Sequence, residues 1–158
     1  MNHPYQSRHD VPNGAKESDA SASAQPMRLP ADALVELLAL EGCHPTVGDQ
    51  GVIRFVRNEL HYMLILSRTD PEFVRLILPN FYAIGDDSER IVAYAAANVA
   101  NATCKAAKIY VERDKTLAAI ECFLTSPAQL VPVLLRCAGA LEHAARSFAV
   151  AFSMQRRA

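Results

Sequence analysis

The segments on either side of Asn58-Glu59 constrain the fold more than any other feature of the sequence. Gly51–Arg57 and Leu60–Ser67 are rich in β-branched and aromatic residues, and only two residues separate them. Asn accepts the positive φ that a two-residue turn requires, so the pattern predicts a β-hairpin. The predicted cross-strand pairs are Arg57 with Leu60, Phe55 with Tyr62 and Ile53 with Leu64. The chain is therefore expected to contain an antiparallel sheet.

This register assigns alternate side chains to opposite faces of the sheet. One face is apolar and is predicted to join the core; it carries Ile53, Phe55, Leu60, Tyr62, Leu64 and Leu66. The other face is mixed in character and carries Val52, Arg54, Val56, His61, Met63 and Ile65. A mixed face is either covered by another element or kept for a partner.

A second hairpin is predicted from Ala107–Glu112 and Thr116–Leu124, which flank Asp114-Lys115. The predicted pairs are Ile109 with Ile120, Lys108 with Glu121 and Tyr110 with Ala119. Lys108 and Glu121 would then form a cross-strand ion pair. Between the hairpins, the sequence predicts a short helical turn at Asp70–Phe73 and an apolar connector at Leu76–Phe81.

Three segments carry the signals of helices, including capping residues and a terminal glycine at Gly42. The predicted helices span about Pro30–Glu41, a segment capped by Asp87 or Ser88 that runs to about Lys105, and a segment from the capping box at Ser126 to the C-terminus. The second helix is predicted to bury Ile91, Ala95, Asn98, Val99 and Ala102. The third is predicted to bury Leu130, Leu134, Cys137, Leu141, Ala145, Phe148 and Phe152.

These elements predict an α+β fold: a twisted antiparallel sheet of about five strands with three α-helices, in the order α-β-β-β-α-β-β-α. Cys43–Val47 supplies the first, short strand, and Pro45 confines it to an edge. The 158 residues are expected to form one domain. Residues 1–29 are predicted to be a disordered tail, residues 30–154 the domain and residues 155–158 the C-terminal end.

Charge and motifs exclude several classes of function. There are 16 Lys and Arg against 17 Asp and Glu, and the pI is about 6.5, which argues against nucleic-acid binding. No signal peptide or membrane-spanning run is evident, so a cytoplasmic location is expected. The four cysteines form no CxxC pair, and no histidines have the spacing of metal ligands. No cofactor, metal or catalytic residue is therefore predicted, and we do not expect an enzyme.

Several stretches, in order and spacing, resemble the YbjN-like family, which is proposed to act in bacterial sensory transduction. They are Asp70–Phe73 through Leu78–Phe81, Ala96–Asn101, Lys108–Val111, Glu121–Leu124 and Leu135-Arg136 through Arg146–Phe148. The resemblance covers about Ala31–Met154 and implies the fold of class I type III secretion chaperones, which are small dimeric proteins that bind other proteins. The family has no established catalytic residues, so none is implied here.

The mixed sheet face is the best functional lead, because Tyr, Met and Arg are enriched at protein interfaces. The predicted partner-binding residues are Arg54, Val56, His61, Met63, Lys108, Tyr110, Glu121 and Phe123. We expect a homodimeric, non-enzymatic module that binds a protein as a regulator or chaperone-like adaptor. The alternatives are a dedicated secretion chaperone and, more remotely, a small-molecule-binding protein or an enzyme. The sequence also leaves open that the last helix or the tail covers this face.

Overall fold

The computed structural model describes residues 31–124 and 127–157. Within them lie α1 (Ala31–Leu40), β1 (Thr46–Val47), β2 (Ile53–Arg57), β3 (Leu60–Leu66), β4 (Phe73–Ala83), α2 (Asp87–Thr103), β5 (Lys108–Glu112), β6 (Lys115–Phe123) and α3 (Pro127–Gln155). The six strands form one antiparallel sheet in the order β1-β2-β3-β4-β6-β5. The predicted α+β class is confirmed, with six strands instead of about five. The predicted tail at 1–29 and the capping residue Ser126 lie outside the described residues.

The additional strand is β4, where the sequence predicted a helical turn and a connector. Phe73–Ala83 instead forms an 11-residue strand that pairs with both β3 and β6. Pro79 is accommodated because the pairing with β6 shifts between Pro79 and Ala83. The buried Thr116 hydroxyl lies at this irregularity, where it accepts from Tyr82 N at 2.8 Å and donates to Tyr82 O at 2.7 Å.

The first hairpin has the predicted register in all three pairs. Its turn residues Asn58 and Glu59 have φ values of 52° and 64°, so both occupy the left-handed region, as a type I′ turn requires. The second hairpin turns at Arg113-Asp114, one residue earlier than predicted. Its observed pairs are therefore Lys108 with Ala119, Ile109 with Ala118 and Tyr110 with Leu117. This shift of two residues leaves every side chain on its predicted face, because strand side chains alternate with period two.

All three helices contribute to one hydrophobic core on the first sheet face. The strand residues in this core belong to that face and include Ile53, Phe55, Tyr62, Leu64, Val74, Leu76, Leu78, Ile109, Ala118 and Ile120. The 29-residue α3, about 43 Å long at 1.5 Å per residue, buries most of its predicted face, although Cys137 and Ala145 are only partly buried. Its aromatic end stacks Phe148 and Phe152 beside Tyr82.

The predicted buried face of α2 is wrong. The helix buries Ala93, Ala96, Ala97 and Ala100, whereas Ile91 is 71% exposed and Asn98 is also exposed. Small side chains on the buried face let α2 lie close to α3 and β5, and close approach outweighs the size of individual apolar groups. The N-cap is Asp86, whose carboxylate accepts from Glu89 N at 2.7 Å, instead of Asp87 or Ser88.

Asn101, near the end of α2, pairs with the edge strand β5. Its Oδ1 accepts from Ile109 N at 2.7 Å, and its Nδ2 donates to Ile109 O at 3.2 Å. The side-chain amide thus occupies the outward backbone groups of Ile109 as a neighbouring strand would. These two bonds fix the C-terminal end of α2 against the sheet.

Candidate functional site

The second face of the sheet stays uncovered by the described helices. None of its strand residues belongs to the core that the helices share with the first face. Ile77 and Ala119, at its centre, are only 7% and 1% exposed, although neither belongs to that core. We call this surface the open face; it is the mixed face of the sequence prediction, extended by β4.

Strand pairing arranges the open face in rows that run across the sheet. One row crosses all six strands and consists of Thr46, Arg54, Met63, Ile77, Ala119 and Lys108. A neighbouring row contains Ile65, Arg75 and Glu121, and Phe73 pairs with Phe123 beyond it. At about 4.8 Å per strand, Arg54 and Lys108 lie about 19 Å apart. The central row is thus apolar in the middle and basic near both ends.

All eight residues predicted to bind a partner lie on the open face, in two groups. Arg54, Val56, His61 and Met63 lie on β2 and β3 at one end, and Lys108, Tyr110, Glu121 and Phe123 lie on β5 and β6 at the other. The centre consists of Phe73, Arg75, Ile77 and Pro79 from β4, which the prediction missed because β4 was not recognised as a strand. Whether these residues contact a partner stays a prediction.

An ion-pair network lies at the β5–β6 end. Lys108 Nζ donates to Glu121 Oε2 at 3.1 Å, and this hydrogen bond raises the pKa of Lys108. The predicted pair is therefore present, although the two residues face each other diagonally and not directly. Arg75 Nε lies 3.4 Å from Glu121 Oε1, an ion pair without hydrogen-bond geometry. A single carboxylate thus partly neutralises both cations.

Two aromatic side chains extend this end of the open face. Phe123 is 68% exposed and meets Phe73 edge-on, with ring centroids 5.5 Å apart. Tyr110 is also exposed, on the outermost strand. Exposed aromatic rings held by a rigid sheet are typical of residues that anchor protein partners.

The opposite end of the open face contains a depression of about 410 Å³. Its lining consists of His44, Thr46, Arg54, Phe55, Val56, His61, Tyr62, Met63 and Pro79. All four predicted residues on β2 and β3 are in this set. The lining includes three basic side chains and no carboxylate, and Arg54 forms no ion pair with any residue that the structure describes.

Glu142 forms a polar cluster outside the open face. Its Oε1 accepts from Arg57 Nη1 at 2.8 Å, Asn58 Nδ2 at 3.2 Å and Tyr62 OH at 3.0 Å. Burial and the hydrogen bond to Glu142 raise the pKa of Tyr62. These hydrogen bonds hold the first hairpin against α3, and they occupy Glu142 Oε1 with groups of the chain itself. We interpret the cluster as structural.

Burial and hydrogen bonding describe the surroundings of three cysteines, Cys104, Cys122 and Cys137. Cys104 and His143 line one cavity of about 320 Å³, but no hydrogen bond joins them in the described part of the chain. Burial raises the pKa of Cys122, and burial together with neighbouring Cys122 raises that of Cys137 to about 11. Thiols of this kind hold little reactive thiolate at neutral pH.

Residues 31–124 and 127–157 contain no group of three His, Cys, Asp or Glu side chains placed to hold a metal ion. None of their helices combines the length and apolar character needed to cross a bilayer.

Comparison with known proteins identifies a related fold. The crystal structure of YbjN, a proposed transcription regulator from E. coli, superposes with a TM-score of 0.59. The match covers 83% of this chain and 96% of YbjN, at 11% sequence identity. The sequence matches no protein-family model and no curated protein. The YbjN-like fold implied by the sequence resemblance is therefore confirmed, and at this identity the likeness concerns the fold alone.

Proposed function

We propose that this chain is a non-enzymatic protein-binding module, acting in the cytoplasm as a regulator or chaperone-like adaptor, with the open face as its binding surface. The observation that carries the proposal is an apolar sheet face that the described helices leave uncovered, with exposed Phe123 and Tyr110 at one end. Faces of this kind on a folded domain usually mark interaction sites. The fold likeness to a proposed regulator supports the regulatory role.

Near-neutral charge supports a protein partner over DNA. The formal charge is −1, and the open face carries Glu121 among its basic residues. A DNA-binding surface would need an unneutralised basic stripe. Any role in transcription would then act through contacts with another protein.

The test replaces Met63 and Tyr110 together by Asp. Carboxylates on β3 and β5 should weaken capture of native partners by at least about tenfold, because apolar groups of the partner would have to be buried against them. Pull-down from native lysate with quantitative mass spectrometry measures the effect. Circular dichroism checks that the double variant folds.

A matched control places the same charges on another exposed apolar surface. Ile91 on α2 and Val150 on α3 are 71% and 56% exposed. The Ile91→Asp, Val150→Asp double variant should capture partners as the natural chain does. Loss of capture in the control, with capture retained in Met63→Asp, Tyr110→Asp, would overturn the open face as the binding surface.

We also propose that the chain is a homodimer, as the resemblance implies. Light scattering should give twice the 17.3 kDa mass of the chain. The same pull-down separates the two protein-binding roles. A regulator should capture several partners, whereas a dedicated secretion chaperone should capture one secreted protein.

A further inference from the structure

We infer that the depression at the β1–β3 end of the open face binds a carboxylate from an extended segment of the protein partner, with apolar side chains of that segment packing on Val56, Met63 and Pro79. The inference rests on the proposed function and adds the chemistry of the partner. Its starting point is the lining of the depression. Arg54, His44 and His61 supply N–H donors, Thr46 supplies a hydroxyl, and no lining residue is acidic.

The cations at the two ends of the open face differ in how they are neutralised. Lys108 and Arg75 share Glu121 at 3.1 and 3.4 Å. Arg54 has no such carboxylate in the part of the chain that the structure describes. An anionic group from a partner is therefore favoured at the Arg54 end, where the guanidinium fork matches carboxylate geometry.

The backbone near the depression leaves space for the guanidinium of Arg54. Gly48 lies between β1 and the short turn Asp49–Gly51, and a Cβ placed on Gly48 would collide with Arg54 Nη1. Gly48 has φ −97°, so an alanine there meets no backbone strain. The missing side chain at Gly48 thus lets the guanidinium lie against the β1–β2 connection and beside the depression.

The apolar side chains that line the depression favour apolar residues in the rest of the partner segment. Val56, Met63 and Pro79 line the depression, and all three are half-buried. Pro79, on β4, is two strands from Arg54, about 10 Å, which an extended chain spans in about three residues. The structure therefore favours a segment with Asp or Glu and, within about three positions on either side of it, apolar side chains.

The experiment is a selection from a displayed random dodecapeptide library against the full chain. Selected peptides should be enriched in Asp or Glu with apolar residues within about three positions. Peptides selected for binding to the Arg54→Gln variant should lose the enrichment in acidic residues and keep the enrichment in apolar residues. Gly48→Ala keeps the charge and displaces only the flexible end of Arg54, so it should weaken the acidic enrichment less than Arg54→Gln does. Arg136→Gln, an exposed arginine on α3, is the matched control and should select as the natural chain does.

The best selected peptide is then synthesised with a fluorophore and measured by fluorescence polarisation. Changing its acidic residue to Gln should weaken binding to the natural chain at least about tenfold and leave binding to Arg54→Gln unchanged. Peptides that bind without acidic enrichment would overturn the carboxylate site and leave the proposed binding face standing. Selected peptides that still bind Met63→Asp, Tyr110→Asp at full affinity would overturn both.

Discussion

Glu142 shows how one residue can hold two distant parts of the chain together. It is 80 residues from Tyr62 in sequence, and one of its oxygens accepts hydrogen bonds from three side chains of the first hairpin. Its side chain is 13% exposed, so the arrangement is only weakly screened by water. The sequence could not predict this cluster, because no local pattern relates an α3 glutamate to a tyrosine on β3.

Replacing Glu142 by Ala should lower the free energy of unfolding by about 1–3 kcal/mol, because Tyr62 OH and Arg57 lose their partner while partly buried. Urea unfolding measures the change. Glu142→Gln keeps an acceptor oxygen and should lose less. Equal stability of Glu142→Ala and the natural chain would show that water replaces the carboxylate without cost.

The raised pKa of Tyr62 has a consequence for stability at alkaline pH. Burial, then Glu142, hold the phenol in its neutral form in the folded chain. A folded pKa above the unfolded one contributes stability that is complete below about pH 10 and declines as the pH rises further. The loss of unfolding free energy above about pH 10 should thus be smaller in Tyr62→Phe than in the natural chain. Identical pH profiles of the two proteins would contradict this prediction.

At the scale of elements, features set by local sequence were predicted correctly, whereas features set by long-range packing were not. The first hairpin was predicted pair for pair, because its turn residues and side-chain alternation both lie within the hairpin. β4 was missed, because an apolar run buried at its centre lacks alternation and contains Pro79. The buried face of α2 was assigned from the size of apolar groups, whereas the packing distance to α3 and β5 selects alanine.

The corrected face of α2 can be tested directly. Ala96 is fully buried, so Ala96→Leu should overpack the contact and lower the free energy of unfolding by about 1–3 kcal/mol. Ile91→Ala, on the face first predicted to be buried, should change it by less than about 0.5 kcal/mol. Chemical denaturation of the two variants distinguishes the two faces. A larger effect from Ile91→Ala would restore the sequence prediction.

At the scale of the whole molecule, one hydrophobic core joins all three helices to the sheet. The hairpin residues of the open face were assigned to the correct face although the second hairpin was two residues out of register, because an even shift preserves the faces. The sequence could not supply the β4 residues at its centre. The depression beside Arg54 also escaped prediction, since it depends on Gly48 and the β1–β2 connection.

A single core predicts a single unfolding transition. Thermal unfolding followed by far-UV circular dichroism should have the same midpoint as unfolding followed by tyrosine fluorescence, which the sequence permits because it has 5 Tyr and no Trp. Helices that melted before the sheet would separate the two midpoints and show that α3 and the sheet do not form one cooperative unit.

The side-chain amide of Asn101 limits how another polypeptide can pair with an edge of this sheet. It already occupies the outward N–H and C=O of Ile109 on one edge, and the other edge, β1, has only two residues beside Pro45. A visiting strand would find the Ile109 position taken on one edge and only two residues on the other, so recognition by β-augmentation is disfavoured. We therefore expect a partner to be recognised mainly through its side chains. Recognition then depends on the sequence of the partner more than on its ability to form a strand.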